Sequence, residues 1–489
     1  MKHMVDMFLV CNCAITSLAL VTSIHAQVRP TFSIDIQSVT NGVPGPNTGL
    51  PDSWYGIPLD EGSILSAALP GPPGPNVPQV PGIVPLPTPG LMVGAIAGSG
   101  GSVIGGLGIN PAGPLQAVEL DALSYGHDYG IELMFSVDEW AGGDFLLPPM
   151  PPNVSSEGVL TGVDDAAADV FRYLGPVKRT PPPAAGGVGP GNRQYLDGNG
   201  QPSPPGGARG LGLIEPMPPG CGGNCEGDNL DALDINSTLN DLFGPIFFSL
   251  DSSFPDPLDG PALNAGTALG NGFSGSDIIV SRAGGVPAIY AIAGSLGLDL
   301  QGFDTDDLDA LILQDNGDAQ YDPAVDRILF SVRRGSAVIG QPDSMYGMPI
   351  EEGDVLSVPI PGGASPFPSI YIAAEALGLA TVRSQTNEFT PFGDELDALD
   401  LFLQGDLDGD GFVGIADLNI VLGNWNQPVP PANPSADVNG DGFVGIADLN
   451  IVLGNWNLGA PLPPGAPVPE PATVAVWCVT GAALLRRKR

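Results

Sequence analysis

Four copies of Leu-Asp-Ala-Leu, at Leu120–Leu123, Leu230–Leu233, Leu308–Leu311 and Leu396–Leu399, constrain the fold of this 489-residue chain more than any other feature. Each tetrapeptide is short, apolar at both ends, and usually preceded by acidic residues. A second run follows each of the first three: Leu133-Met-Phe-Ser-Val137, Ile246-Phe-Phe-Ser-Leu250 and Ile328-Leu-Phe-Ser-Val332, with Thr31-Phe-Ser-Ile34 opening the series. A recurring unit of this kind must bury its faces against its neighbours, so the copies have to be arranged around one another.

Further landmarks complete the unit. An acidic turn leads to another apolar run in Gly62-Ser-Ile-Leu65, Ser276-Asp-Ile-Ile279 and Gly353-Asp-Val-Leu356. A Leu-Gly-Leu segment closes two units, at Leu296–Leu298 and Leu377–Leu379, with Leu107-Gly-Ile109 as a weaker third. The stretch Pro51-Asp-Ser-Trp-Tyr-Gly-Ile-Pro58 is nearly repeated at Pro342-Asp-Ser-Met-Tyr-Gly-Met-Pro349. The unit therefore runs strand, loop, strand, Leu-Gly-Leu segment, Leu-Asp-Ala-Leu strand, in repeats at about 30–125, 131–236, 243–314 and 326–402. The second is the most degraded, with Ala168-Asp-Val-Phe-Arg172 standing for its middle strand.

Apolar runs of this length, bounded by Gly, Pro and Asp, read as strands buried on both faces. The expected body, residues 30–402, is mainly β, four degenerate strand-rich repeats in a propeller-like arrangement or, alternatively, a pair of β-sandwiches. The Ala-rich stretches Ala288–Leu298 and Ile370–Leu379 are candidate helical turns instead. The Asp of each tetrapeptide (Asp121, Asp231, Asp309, Asp397) admits two readings. The four converge at a central ring that binds a cation or sugar, or each caps a turn or satisfies backbone N–H groups at a strand end; strand-end chemistry favours the second. The acidic strings Asp315-Asn-Gly-Asp318 and Asp197-Gly-Asn-Gly200 read as solvated turns.

Seventy Gly and 54 Pro approach low-complexity composition, yet 43% apolar residues argue against wholesale disorder. A net charge of −38 lacks the clustered Lys and Arg that phosphate binding requires, so no nucleic-acid partner is expected. Cys221 and Cys225, in Cys-Gly-Gly-Asn-Cys, are candidates for a small disulfide loop if the chain is exported. Export is expected: Met1–Ala26 has the apolar run and small final residue of a signal peptide cleaved by signal peptidase.

A duplicated stretch lies beyond the body. Asp406, Asp408, Asp410, the Phe412 carbonyl and Asp417 occupy positions 1, 3, 5, 7 and 12 of an EF-hand type loop, with Gly411 at position 6. Asp437, Asn439, Asp441, the Phe443 carbonyl and Asp448 repeat the pattern around Gly442. Hard oxygen ligands at this spacing suit two Ca²⁺ ions. After each loop, Ile415, Leu418, Val421 and Leu422, and again Ile446, Leu449, Val452 and Leu453, predict one apolar stripe on a short helix ended by Gly423 or Gly454.

The duplication, the Asp at position 12 and the short helix resemble a type I dockerin over residues 405–457, within a segment bounded at 403–457. The resemblance implies a small α-helical calcium-binding module that docks onto a cohesin-like protein. Its partner-selecting positions correspond to Ile415, Ala416, Ile446 and Ala447, in place of the Ser-Thr pair frequent in the family. A Pro/Gly linker, 458–467, follows. Residues 468–489 carry Pro-Glu-Pro, a short apolar run and Arg486-Arg-Lys-Arg489, and resemble a PEP-CTERM sorting signal removed by an exosortase. The apolar run is expected to hold the chain in the membrane transiently before delivery to the cell surface or exterior.

Beyond the leader the only histidine is His127, and no Gly-x-Ser-x-Gly elbow, P-loop or dinucleotide fingerprint occurs. Two functions of different class remain. One is a displayed, non-catalytic surface or matrix protein attached through its calcium module. The other is a carbohydrate-active or glycan-binding component of an extracellular polysaccharide-degrading assembly, in which paired carboxylates would serve hydrolysis.

Overall fold

The computed structural model describes residues 29–39, 61–66, 90–91, 107, 109, 119–125, 133–138, 152–157, 166–174, 191–200, 209–214, 227–235, 244–251, 253–255, 257, 266–282, 285–383, 392–402, 405, 407, 413–428, 432, 436, 438 and 443–457, and all structural statements concern these. The protein is mainly β, built of several small antiparallel sheets with few short helices, and no sheet closes into a barrel.

The first sheet begins with β1 (Arg29–Phe32), β2 (Leu65–Ser66) and β3 (Gly90–Leu91). The second holds β4 (Ala122–Ser124), β5 (Met134–Ser136), β6 (Val170–Tyr173), β7 (Asn192–Asp197) and β8 (Arg209–Gly210), with helix α1 (Val154–Glu157) beside β7. The third holds β9 (Leu233–Ile235), β10 (Pro245–Phe248), β11 (Ile278–Arg282) and β12 (Ala288–Ala291), with helices α2 (Gly266–Asn271) and α3 (Ala293–Leu296). The fourth holds β13 (Leu308–Gln314), β14 (Arg327–Val332), β15 (Val355–Ser357) and β16 (Ser369–Ile372), followed by helix α4 (Ala374–Leu377). Finally β17 (Leu399–Phe402) returns to the first sheet, pairing antiparallel with β1 from Arg29↔Phe402 to Phe32↔Leu399.

Each sheet is thus offset by one strand from the repeat as it reads along the chain. Its first strand carries a Leu-Asp-Ala-Leu tetrapeptide, and its second carries the Phe-Ser run that follows in the sequence. For the first sheet the tetrapeptide comes from the far end of the body.

One bond recurs from sheet to sheet. The hydroxyls of Ser33, Ser136, Ser249 and Ser331 donate to the carbonyls of Leu120, Leu230, Leu308 and Leu396 at 2.7, 2.9, 2.7 and 2.7 Å. The serine is always in one sheet and the leucine in the next, so the series passes through all four sheets and returns to the first. β4, β9, β13 and β17 touch in the same cyclic order, and β13 also touches β4. Phe32, Phe135, Phe247, Phe248 and Phe330 are fully buried among these layers.

The Leu-Gly-Leu segments have a local explanation. Gly297 (φ +84°) and Gly378 (φ +93°) end α3 and α4 in the left-handed region, which favours Gly at this position. Leu298 N–H then bonds to Ala293 O at 3.0 Å, and Leu379 N–H to Ala374 O at 3.1 Å. At the other end of these turns the acidic-turn residues serve as caps. Asp277 accepts Ala293 N–H at 2.8 Å and Asp354 accepts Ala374 N–H at 2.9 Å. The two Ala-rich stretches are therefore half strand and half helical turn.

In the C-terminal segment, helices α5 (Ile415–Gly423) and α6 (Ile446–Gly454) touch each other, and β18 (Gln427–Pro428) pairs with β19 (Phe443–Val444). The two halves exchange equivalent bonds: Asn426 N–H to Val444 O and Asn457 N–H to Val413 O, both 2.9 Å. The core here is Val413, Val421, Val444 and Val452, with Leu407, Leu418 and Leu449 against it. The predicted stripe needs correction. Ile415 and Leu422 are 64% and 49% exposed, as are Ile446 and Leu453 at 63% and 49%. Val413 and Val444, just ahead of each helix, fill the interior, so the helix ends need not.

The signal segment, the linker, the sorting tail, and Cys221 and Cys225 lie outside the described residues.

Candidate functional sites: an acidic axis and a duplicated loop-helix pair

Where β4, β9, β13 and β17 meet, three repeat positions place carboxylates together. The first is the Asp of each tetrapeptide: Asp121, Asp231, Asp309 and Asp397. The second, two residues earlier, is Glu119, Asn229, Asp307 and Glu395. The third, at the end of the Phe-Ser strand, is Asp35, Asp138, Asp251 and Arg333. Asp309 falls where the β13–β14 register shifts between Leu308 and Ala310.

Two guanidiniums enter this acidic region. Arg333 Nη1 donates to Asp251 Oδ1 at 3.1 Å and Asp307 Oδ2 at 2.9 Å. Arg334, fully buried, places Nη2 3.0 Å from Asp35 Oδ1 and 2.9 Å from Glu395 Oε2, and its backbone N–H bonds to Glu395 Oε1. Asn229 Nδ2 links Asp121 Oδ2 at 3.2 Å and Asp251 Oδ2 at 3.4 Å. Carboxylate oxygens of Asp231, Asp251 and Asp307 all lie within 4.8 Å of one another, a spacing one metal ion can bridge.

Of the four tetrapeptide carboxylates, Asp231, Asp309 and Asp397 each bury an Oδ2 atom with no hydrogen-bond partner among the described residues. The capping role expected for them is therefore not what these atoms do. Capping falls instead to other acids: Asp228 accepts Thr267, Ala268 and Ile214 N–H, and Asp394 accepts Ala380 N–H. Burial pushes the Asp231, Asp309 and Asp397 carboxyls well above the usual range, and Glu119 with them. Neighbouring carboxylates push further: Asp251 and Asp307 act on Asp231, Glu395 and Asp307 on Asp309, and Glu119 and Asp309 on Asp397. Arg333 opposes this at Asp231 and Asp309. Buried carboxylates this crowded must take up protons or a cation.

The Arg pair was not singled out in the sequence. Its signal is positional: Arg333-Arg334 directly follows a Phe-Ser run, where the first three repeats carry Asp.

In the loop-helix pair, Asp417, Phe443 and Asp448 are described; Asp406, Asp408, Asp410, Phe412, Asp437, Asn439 and Asp441 lie outside the described residues. Asp417 and Asp448 are fully buried at the third position of α5 and α6. Asp417 accepts Gly414 N–H and Leu407 N–H, each at 2.6 Å, and Asp448 accepts Gly445 N–H at 2.7 Å. A side chain at this position reaching back to the N-terminal N–H stabilises the helix start. The same carboxylates sit at loop position 12, where their buried oxygens are of the hard type that suits Ca²⁺. Beside them Ile415 and Ile446 face solvent while Ala416 and Ala447 are half-buried. Trp425 and Trp456 are exposed at 39% and 36%.

No family model, curated protein or solved structure compared with the chain matches it.

Proposed function

We propose that this chain is an exported, surface- or matrix-associated, non-catalytic protein that attaches to a cohesin-type partner through its duplicated calcium module. The observation that carries the reading is the equivalence of the two halves. Each buries a position-12 Asp at a helix start, and each exposes an Ile beside it and a Trp after the helix. Exposed large apolar side chains repeated in two copies form a docking surface in a chain whose net charge is −38. Asp406, Asp408, Asp410, Asp417 and their counterparts Asp437, Asn439, Asp441 and Asp448, with the Phe412 and Phe443 carbonyls, would hold two Ca²⁺ ions and fix the helices for docking.

The body is proposed to be a four-bladed propeller. Four sheets joined in cyclic order, with β17 from the far end of the body paired to β1, support this over a sandwich pair.

The full chain immobilised on resin should capture a partner from an extracellular fraction in Ca²⁺ and release it in EDTA. Ile415→Asp with Ile446→Asp should lose the capture while keeping Ca²⁺ binding; capture indifferent to both EDTA and these substitutions would reject the reading. Release of sugar from a glycan panel by the full chain would replace it with the carbohydrate-active alternative.

A further inference from the structure

We propose that the seam between the third and fourth sheets is a binding site for one divalent cation of the Ca²⁺ class, held by Asp231, Asp251 and Asp307 and independent of the C-terminal loops. One carboxylate oxygen from each of the three lies within 4.8 Å of the other two. Asp231 lies just ahead of β9 and Asp251 just beyond β10, so both belong to the third sheet, while Asp307 directly precedes β13 of the fourth. A second observation points to a ligand. Asp231 is only 5% exposed, and its Oδ2 is buried with no hydrogen-bond partner among the described residues. A buried carboxylate oxygen without a donor is costly, and a cation shared with the two neighbouring carboxylates removes that cost.

Charge and ligand atoms select the ion. Arg333 Nη1 donates to Asp251 Oδ1 and Asp307 Oδ2, so one guanidinium serves two of the three carboxylates. Three negative charges against that one positive charge leave an excess that a divalent cation balances and an anionic or neutral ligand does not. Asn229 offers a neutral oxygen beside the group: its Nδ2 reaches Asp251 Oδ2 at 3.4 Å, and its Oδ1 is buried without a partner among the described residues. Oxygen-only ligands favour a hard cation over zinc or copper, which take imidazole or thiolate. Size then favours Ca²⁺: with bonds of about 2.3–2.6 Å its ligands stand up to about 5 Å apart, whereas Mg²⁺ at about 2.0–2.1 Å spans only about 4 Å. At the equivalent positions of the other three seams one Asp is replaced by Glu119, Asn229 or Glu395, the last with Arg333 beside it, so only this seam has Asp at all three. The ion would join the two sheets where the Ser249 hydroxyl already reaches Leu308 O at 2.7 Å.

The test uses the full chain with its loops silenced by Asp406→Ala, Asp410→Ala, Asp437→Ala and Asp441→Ala, so that failure of the calcium module and failure of this site are separable. Equilibrium dialysis against Ca²⁺ at pH 7 should leave about one ion per chain, and the melting temperature should fall in EDTA. Adding Asp231→Asn, a near-isosteric change, should weaken binding about tenfold or more. Asp251→Asn, whose side chain is 19% exposed, should do the same and decides the matter if Asp231→Asn does not fold. Asp397→Asn, at the tetrapeptide carboxyl that interacts with Glu119, should leave the affinity unchanged. A loop-silenced chain that holds no Ca²⁺ overturns the proposal. So does an ion indifferent to the substitutions at Asp231 and Asp251, or one that Asp397→Asn weakens just as much.

Discussion

The hydroxyl of Ser331 donates to the carbonyl of Leu396 at 2.7 Å, and with its counterparts at Ser33, Ser136 and Ser249 it carries a bond from each sheet to the next. Ser331 is fully buried, so removing its hydroxyl leaves a buried carbonyl short of a donor. Ser331→Ala is expected to cost about 1–3 kcal/mol, read as a lower urea midpoint with an unchanged slope. Ser249→Ala, making the same bond to Leu308 O, should cost a similar amount.

Phe32 lies at the closure, on β1 opposite Leu399 of β17, and is fully buried. Phe32→Ala should destabilise the body by about 3–5 kcal/mol. Hydrogen exchange should show faster exchange at β17 as well as at β1, because the two strands are each other's partners.

Arg334 is fully buried between Asp35, near the start of the body, and Glu395, near its end. Arg334→Met keeps much of the packing but strips both carboxylates of their counter-charge. The expected loss is about 3–5 kcal/mol, measured by denaturant unfolding.

Glu351 has its carboxyl raised from an ordinary 4.5 to about 7, first by burial, against the pull of Arg383, with Asp354 pushing it further up. Between those values the folded chain holds a proton that the unfolded chain has released. The contribution to stability is therefore complete below about pH 4.5 and is lost as pH rises through about 7. The loss is at most about 3 kcal/mol. Glu351→Gln should flatten this part of the stability profile measured from pH 4 to 8.

Asp417 should act twice, as helix cap and as calcium ligand. In EDTA, Asp417→Ala is expected to cost the C-terminal module about 0.5–2 kcal/mol, the range for a lost cap. Asp410→Ala should leave the EDTA melt unchanged and remove only the stabilisation by Ca²⁺. Calorimetry of the full chain with and without Ca²⁺ separates the two.

Much of the architecture is legible in particular residues. Leu-Asp-Ala-Leu and the Phe-Ser runs announce strands because burial on both faces demands continuous apolar side chains. Leu296-Gly-Leu298 announces a turn because only Gly adopts the left-handed exit cheaply. The paired helices that begin at Ile415 and Ile446 follow from spacing and caps. The exposed face of those helices was less legible, since Val413 and Val444 enter the core from outside the helical period.

By itself the sequence determined the fourfold repeat, the mainly β class, the acidity and the duplicated loop-helix pattern, all properties of residues close together in the chain. Tertiary structure alone decided that the last Leu-Asp-Ala-Leu strand pairs with β1, that Arg334 lies between Asp35 and Glu395, and that Asp231 meets Asp251 and Asp307. Those outcomes depend on contacts between residues as far apart as Thr31 and Asp400. Local pattern can show that an Asp sits at the start of a strand. Whether it caps its own turn or meets carboxylates from other strands depends on where those strands lie.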